Sequence, residues 1–125
     1  KVLLAEDDDE LRPVLEKALT RSGFDVSAVP DGSQLLDRIA MCLLGERWEP
    51  MPDVIVTDVR LPAFNGLSLI EGLRGEGFCV PVVVMTAFGD QSMRERVEHL
   101  GRATYLDKPF EQQDLEAAVW RAYRR

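Results

Sequence analysis

The sequence predicts an α/β domain: a doubly wound sheet of five parallel strands with helices on both faces. Two observations predict it. Short apolar runs alternate with segments of helical spacing, the pattern of repeated β-α units. The apolar runs also end in chemically capable residues. Lys1-Val-Leu-Leu-Ala runs into Glu6-Asp7-Asp8-Asp9-Glu10, Asp53-Val-Ile-Val-Thr into Asp58, Pro81-Val-Val-Val-Met into Thr86, and Ala103-Thr-Tyr-Leu-Asp into Lys108-Pro109. Parallel strands collect their C-terminal ends on one edge, where open α/β sheets bind ligands.

After the first strand, Asp8 or Asp9 can cap a helix in which Leu11, Val14, Leu15, Ala18 and Leu19 recur at helical spacing. Gly23 stops it. Pro13 conflicts locally, because a proline inside a helix removes a backbone hydrogen bond. Phe24 to Val29 reads as the second strand. Asp31-Gly32 is a turn, and Leu35, Leu36, Ile39, Ala40 and Leu43 share one face of the next helix, which Gly45 ends. A loop follows from Gly45 to Pro52.

Asp53 to Thr57 is a near-continuous apolar run suited to a buried parallel strand. Leu61-Pro62 to Gly66 forms a loop, and Leu67, Leu69, Ile70 and Leu73 suggest a third helix. Strand four is Val80 to Met85. A fourth helix, from about Asp90 to Leu100, has only Met93, Val97 and Leu100 as an apolar stripe. Strand five is Ala103 to Asp107. The last helix turns Leu115, Ala118, Val119 and Ala122 one way, which leaves Trp120 incompletely buried. An exposed aromatic pair, Trp120 and Tyr123, beside strand five, which carries Tyr105, is one expectation for a contact site. The alternative is that Trp120 folds over the helix surface.

The 125 residues fit one domain, and no apolar run is long enough for a membrane span. A net charge of −7 argues against unspecific binding to nucleic acid or acidic membranes. No secretory leader is visible, and the chain opens inside a strand at Lys1. We therefore expect residues 1–125 to be a single domain excised from a longer protein. Cys42 and Cys79 form no Cys-x-x-Cys pair and have apolar sequence neighbours, so reduced, inert, buried thiols are expected in a cytoplasmic chain. His99 stands among charged residues and is expected at the surface.

If the chain reverses direction across the sheet after strand two, strands one and three become neighbours. The crevice between them then brings Glu6, Asp7 and Asp58 together. Three close carboxylates raise one another's pKa unless a cation is present. Hard oxygens without histidine or thiolate suit Mg²⁺, Mn²⁺ or Ca²⁺ rather than zinc. Thr86 and Lys108, at the ends of strands four and five, can contact an anion placed on Asp58. A carboxylate nucleophile, a divalent cation, an ammonium and a hydroxyl are the parts that phosphoryl transfer needs. Asp8, Asp9 and Asp53 have simpler readings as caps and turn residues.

Four stretches, in order, carry a resemblance: Leu-Leu-Ala-Glu6-Asp7-Asp8, Val-Ile-Val-Thr-Asp58-Val-Arg-Leu-Pro62, Val-Val-Met-Thr86-Ala87 and Tyr105-Leu-Asp-Lys108-Pro109-Phe110. The chain resembles a response-regulator receiver domain of two-component signalling from end to end. Ala87-Phe88-Gly89-Asp90 resembles the receivers of multidomain transcription activators of the nitrogen-regulation type.

The resemblance implies a flavodoxin-like fold with strand order 2-1-3-4-5. It implies that Asp58 accepts a phosphoryl group from a sensor histidine kinase or phosphotransfer protein. Asp7 would bind Mg²⁺ directly, Glu6 mainly through water, and the Arg60 backbone carbonyl would be a further ligand. Lys108 would pair with the phosphate. Thr86 would move to hydrogen-bond it, and Tyr105 would turn inward with Thr86. The Lys108-Pro109 bond would be cis.

The change would pass through helix four, strand five and helix five to an output domain or partner, or into a phosphorylation-dependent homodimer. Such a domain is a switch whose own chemistry is limited to self-catalysed phosphorylation and dephosphorylation, with no direct contact to nucleic acid. In receivers the second residues after the acceptor and after the threonine tune hydrolysis; here they are Arg60 and Phe88, which implies a long-lived phosphate. Three features depart from the usual pattern: Glu6 in place of Asp, a longer loop at Gly45 to Pro52, and Arg102 in place of a small residue.

Three rival readings fare less well. A phosphatase with an aspartyl-phosphate intermediate needs an acid where Arg60 stands. A nucleotide or flavin binder needs a phosphate loop where Glu6 to Glu10 would repel it. A receiver that works without phosphorylation has no need of intact Asp7, Asp58, Thr86 and Lys108.

Overall fold

The computed structural model describes residues 1–45, 50–87 and 89–124. The elements alternate: β1 (Val2–Ala5), α1 (Leu11–Arg21), β2 (Val26–Val29), α2 (Gly32–Leu43), β3 (Val54–Asp58), α3 (Gly66–Gly75), β4 (Val82–Thr86), α4 (Gln91–Leu100), β5 (Ala103–Asp107) and α5 (Gln112–Tyr123). The five strands form one parallel sheet in the order β2-β1-β3-β4-β5. The chain therefore reverses direction after β2, as the sequence implied, and β1 and β3 lie side by side. Ala5 pairs with Thr57, Asp58 with Met85 and Thr86 with Asp107, so the strand ends are level.

Alternation along the buried strands sorts side chains into two cores. Ile55 and Val84 face Leu35, Ile39, Ile70 and Val97 on one side of the sheet. Val56 and Met85 face Leu15, Leu19, Leu115 and Val119 on the other. Each fully buried aliphatic side chain contributes about 1.5–3 kcal/mol.

Several boundaries differ from the expectation for physical reasons. Strand two begins at Val26, because the Phe24 N–H donates to Leu19 O at 3.1 Å and closes the end of α1. β4 begins at Val82, since Pro81 has no N–H for the ladder. Pro13 is the third residue of α1, where a backbone N–H has no partner within the helix, so the conflict disappears. Asp8 does act as a cap: Oδ1 accepts from Glu10 N at 2.8 Å and Leu11 N at 3.0 Å. Four residues of the Gly45–Pro52 loop, and Phe88, lie outside the described residues.

Two expectations are corrected. Cys79 is exposed and Cys42 only half-buried. Cys42 shares the Leu35/Ile39 face of α2 but sits in its last turn, and Cys79 precedes the start of β4. Trp120 is indeed only partly buried and stands 5.6 Å from the exposed Tyr123, but the pair packs on Phe24 rather than beside Tyr105. The Trp120 ring packs 4.4 Å from Phe24 and its Nε1 donates to Ser22 Oγ at 2.7 Å. Trp120 thus belongs with the α1/α5 core and Tyr105 with the opposite one. His99 is exposed, as expected. Among the described residues, no helix is long and apolar enough to cross a membrane.

Candidate functional site

Asp58 is the last residue of β3 and is only 4% exposed. Its backbone is backed by the first turn of α3. Gly66 N donates to Val59 O at 2.7 Å, and a Cβ on Gly66 would collide with the Asp58 carbonyl oxygen and lie 2.6 Å from Thr57 Oγ1. The close approach of helix to strand end therefore requires glycine.

Glu6 follows β1 and is 0% exposed, whereas Asp7 beside it faces solvent. Carboxylate oxygens of Glu6, Asp7 and Asp58 all lie within 4.8 Å of one another. Lys108 bridges two of them, with Nζ 2.6 Å from Glu6 Oε1 and 2.7 Å from Asp58 Oδ1. Glu6 is further held by Asp8 N–H on Oε2 (3.2 Å), and Arg12 donates to its carbonyl (3.0 Å). Lys108 is fixed from behind, since its N–H donates to Thr86 O at 2.8 Å and the Lys108-Pro109 peptide is cis.

These residues open onto a cavity of about 210 Å³ lined by Asp7, Asp58, Arg60, Met85, Thr86, Ala87 and Lys108. Lys108 and Ala87 also border an apolar groove of about 500 Å³ formed by Leu11, Val14, Leu15, Pro109, Phe110 and Gln112.

The electrostatics are those of two buried carboxylates and one ammonium. Burial, then the Glu6 carboxylate, push Asp58 up to about 8 against the pull of Lys108. Burial also raises Glu6, but its hydrogen bonds with Asp58, Lys108 and the Asp8 N–H outweigh this and leave it below the usual carboxylate range. Burial lowers the Lys108 ammonium, yet Asp58 and Glu6 carry it above its ordinary value. The Glu6–Asp58 pair thus retains a proton above the usual carboxylate range.

Asp58 Oδ2 is buried and has no hydrogen-bond partner among the described residues. A buried carboxylate oxygen without a partner is costly unless a cation or donor meets it. The all-oxygen donor set fits a hard divalent cation, so the three acids form a pocket that could hold a metal.

Sequence reasoning named Glu6, Asp7, Asp58, Arg60, Thr86 and Lys108, and the structure brings all six to one edge. Tyr105 stands apart from the cavity. Its hydroxyl is buried against Gly89, and the Arg94 guanidinium lies 5.0 Å above its ring while pairing with Asp107 at 2.9 Å. The complete burial of Glu6 and the roles of Gly66, Arg12 and Arg94 were not foreseen. No periodicity or charge pattern marks them, because each depends on contacts distant in sequence or on backbone proximity.

A family profile described as "Response regulator receiver domain" matches residues 2–120. The DNA-binding transcriptional regulator NtrC of Klebsiella pneumoniae is 32% identical over 119 residues, covering 95% of this chain and 24% of NtrC. The response regulator MprA of Mycobacterium tuberculosis is 35% identical over 127 residues, covering all of this chain and 51% of MprA. The chain thus spans between a quarter and a half of these relatives. Among solved structures, the receiver domain of Francisella response regulator 1452 superposes with a TM-score of 0.86 at 28% identity, covering 99% of this chain and 96% of that one. With the acidic crevice, the level strand ends and the matched profile in agreement, the chain belongs to the response regulator receiver domain family.

Proposed function

We propose that the domain is a phosphorylation-controlled switch that accepts a phosphoryl group on Asp58 and passes a conformational change to an output domain, as part of a cytoplasmic transcription regulator. The observation that carries this reading is the state of Asp58: buried, with Oδ1 on Lys108 and Oδ2 without a partner at the floor of a cavity.

In the proposed step a carboxylate oxygen of Asp58 attacks the phosphorus of a phosphohistidine. The new O–P bond forms as the N–P bond breaks, and the electron pair leaves with the imidazole. Lys108 sits where it can neutralise a phosphoryl oxygen, and Thr86, which lines the same cavity, can offer its hydroxyl as a second donor. Glu6 holds Lys108 in place through its 2.6 Å contact. Asp7, Asp58 and the Arg60 carbonyl, with Glu6 behind them, are the residues that would hold Mg²⁺. When bound, the ion supplies positive charge to the phosphoryl oxygens and allows Asp58 to ionise.

The apolar groove beside Lys108 suits the docking of a helical phosphodonor, either a sensor histidine kinase or a phosphotransfer protein. The added phosphate carries up to two negative charges, and α4, β5 and α5 are the elements proposed to carry the response. Self-catalysed hydrolysis of the acyl phosphate then resets the switch. An independent hydrolase is disfavoured by Arg60 where a second acid would be needed.

The test is labelling with acetyl phosphate and Mg²⁺. One acid-labile phosphate per chain is expected, and none in Asp58→Asn. Equal labelling of the variant refutes the assignment.

A further inference from the structure

Gly89, between β4 and α4, has a spatial reason to be glycine. A Cβ on Gly89 would overlap the hydroxyl oxygen of Tyr105 and lie 2.6 Å from its Cζ and 2.8 Å from Thr86 Cγ2. The phenol tip therefore fills the place that any other residue would use for its first side-chain atom, against the methyl side of Thr86.

The rest of the ring is bracketed too. Arg94, one turn into α4, lies over its face and is anchored to Asp107. The ring packs on the core cluster that contains Val84 and Val97.

We propose that Gly89 is a positioning residue for Tyr105: it leaves the hole that the phenol hydroxyl occupies beside Thr86, and any side chain at 89 drives the ring out from between the β4–α4 segment and α4. The collision is with the far end of a flexible side chain, so the ring gives way rather than the backbone. Gly89 thereby determines whether Thr86 and Tyr105 touch. The functional consequence rests on the reading of Thr86 as the hydroxyl that answers a phosphate on Asp58.

The experiment uses the Tyr123→Phe chain, in which Tyr105 is the sole tyrosine. Burial and the nearby Asp107 carboxylate raise the Tyr105 pKa above its ordinary 10.0. Phenolate absorbance during alkaline titration reports this directly. Gly89→Ala should let Tyr105 ionise at lower pH, as a solvated phenol does. An unchanged titration overturns the proposal.

The second arm measures the rate of Asp58 labelling by acetyl phosphate in a double-mutant cycle. Gly89→Ala should alter the rate in the parent chain and have a much smaller effect in a Tyr105→Ala background. An equal effect in both backgrounds means that Gly89 acts through Thr86 or the backbone rather than through Tyr105, and the proposal falls. Should Gly89→Ala unfold the domain, Tyr105→Ala in the same chain is expected to restore folding; failure of that rescue also refutes it. Absence of labelling in the parent chain would count against the switch reading alone, while the titration still decides the role of Gly89.

Discussion

Lys108 reaches Asp58 across the end of an intervening strand: Nζ and Oδ1 are 2.7 Å apart although β4 lies between β3 and β5. The Thr86 carbonyl at the end of β4 fixes the base of this reach by accepting from the Lys108 N–H at 2.8 Å. The same ammonium holds Glu6, so one cation balances two buried carboxylates.

Removal of Lys108 should therefore act on both acids. Lys108→Ala leaves Glu6 and Asp58 facing each other with no cation. Breaking a buried ion pair in this way costs on the order of 3 kcal/mol. The loss should be larger at about pH 8 than at about pH 5, where the buried carboxyl pair retains a proton. Urea unfolding of the metal-free proteins at both pH values measures it. An equal loss at the two would contradict the coupling.

A second expectation follows from the raised pKa of Asp58. An acid whose folded pKa lies above its unfolded value stabilises the fold fully below the unfolded pKa. That stability is lost as pH rises through the folded value, here from about 3.8 to about 8. Glu6 has the opposite sign, but its folded pKa lies below 4.5, so its contribution is lost only in more acid solution. Lys108 is raised above 10.5 and contributes no change in this window. The metal-free domain should lose stability between about pH 5 and pH 8. Added Mg²⁺ should restore it by mass action, and the thermal shift it produces should grow with pH. Asp58→Asn should flatten the metal-free profile, and Asp7→Ala should remove the Mg²⁺ shift. A shift that is constant with pH, or intact in Asp7→Ala, would sink this account.

How much of this was legible in the sequence differs by kind. The five units and most of the site could be read, because strand ends in a parallel sheet must meet on one edge and each run names its last residue; the order of the strands and the Arg60 carbonyl came from the family resemblance. Trp120 could not be placed. Its angle on the α5 wheel said only that it was not in the core stripe, while its partners, Phe24 and Ser22, come from the end of α1. Nor could Phe24 be separated from β2, since its capping bond to Leu19 is invisible to alternation. Glu6 could be placed in the crevice with Asp7 and Asp58, but only the parallel neighbours of β1 show that it is buried.

Gly66 gives a third expectation. With no room for a Cβ between α3 and the Asp58 carbonyl, Gly66→Ala must move either the helix start or the phosphoacceptor. Overpacking of this kind costs about 1–3 kcal/mol. The strand end, rather than the core, absorbs it, so labelling of Asp58 should fall more than stability alone explains. The measurement is the labelling rate at a temperature where the variant is fully folded by circular dichroism. A normal rate in a destabilised but folded variant would show that the strain is taken up elsewhere.

The last expectation concerns α4. Only Val97 of its residues is buried, against Leu115, Ala118, Val119 and Ala122 in α5. Polar contacts hold much of the remainder: Arg96 with Glu71 at 2.6 Å, and Arg94 with Asp107. Such exposed pairs contribute at most about 1 kcal/mol each. A helix with so little apolar burial sits at the low end of local stability and opens ahead of its neighbours. Amide hydrogen exchange should therefore be faster across α4 than across α5 in the unphosphorylated domain. Arg96→Ala should speed α4 further and leave α5 unchanged, because α4 and α5 pack on opposite faces of the sheet. Equal protection of the two helices would show that α4 is held by more than these contacts and would remove it as the element that shifts on phosphorylation.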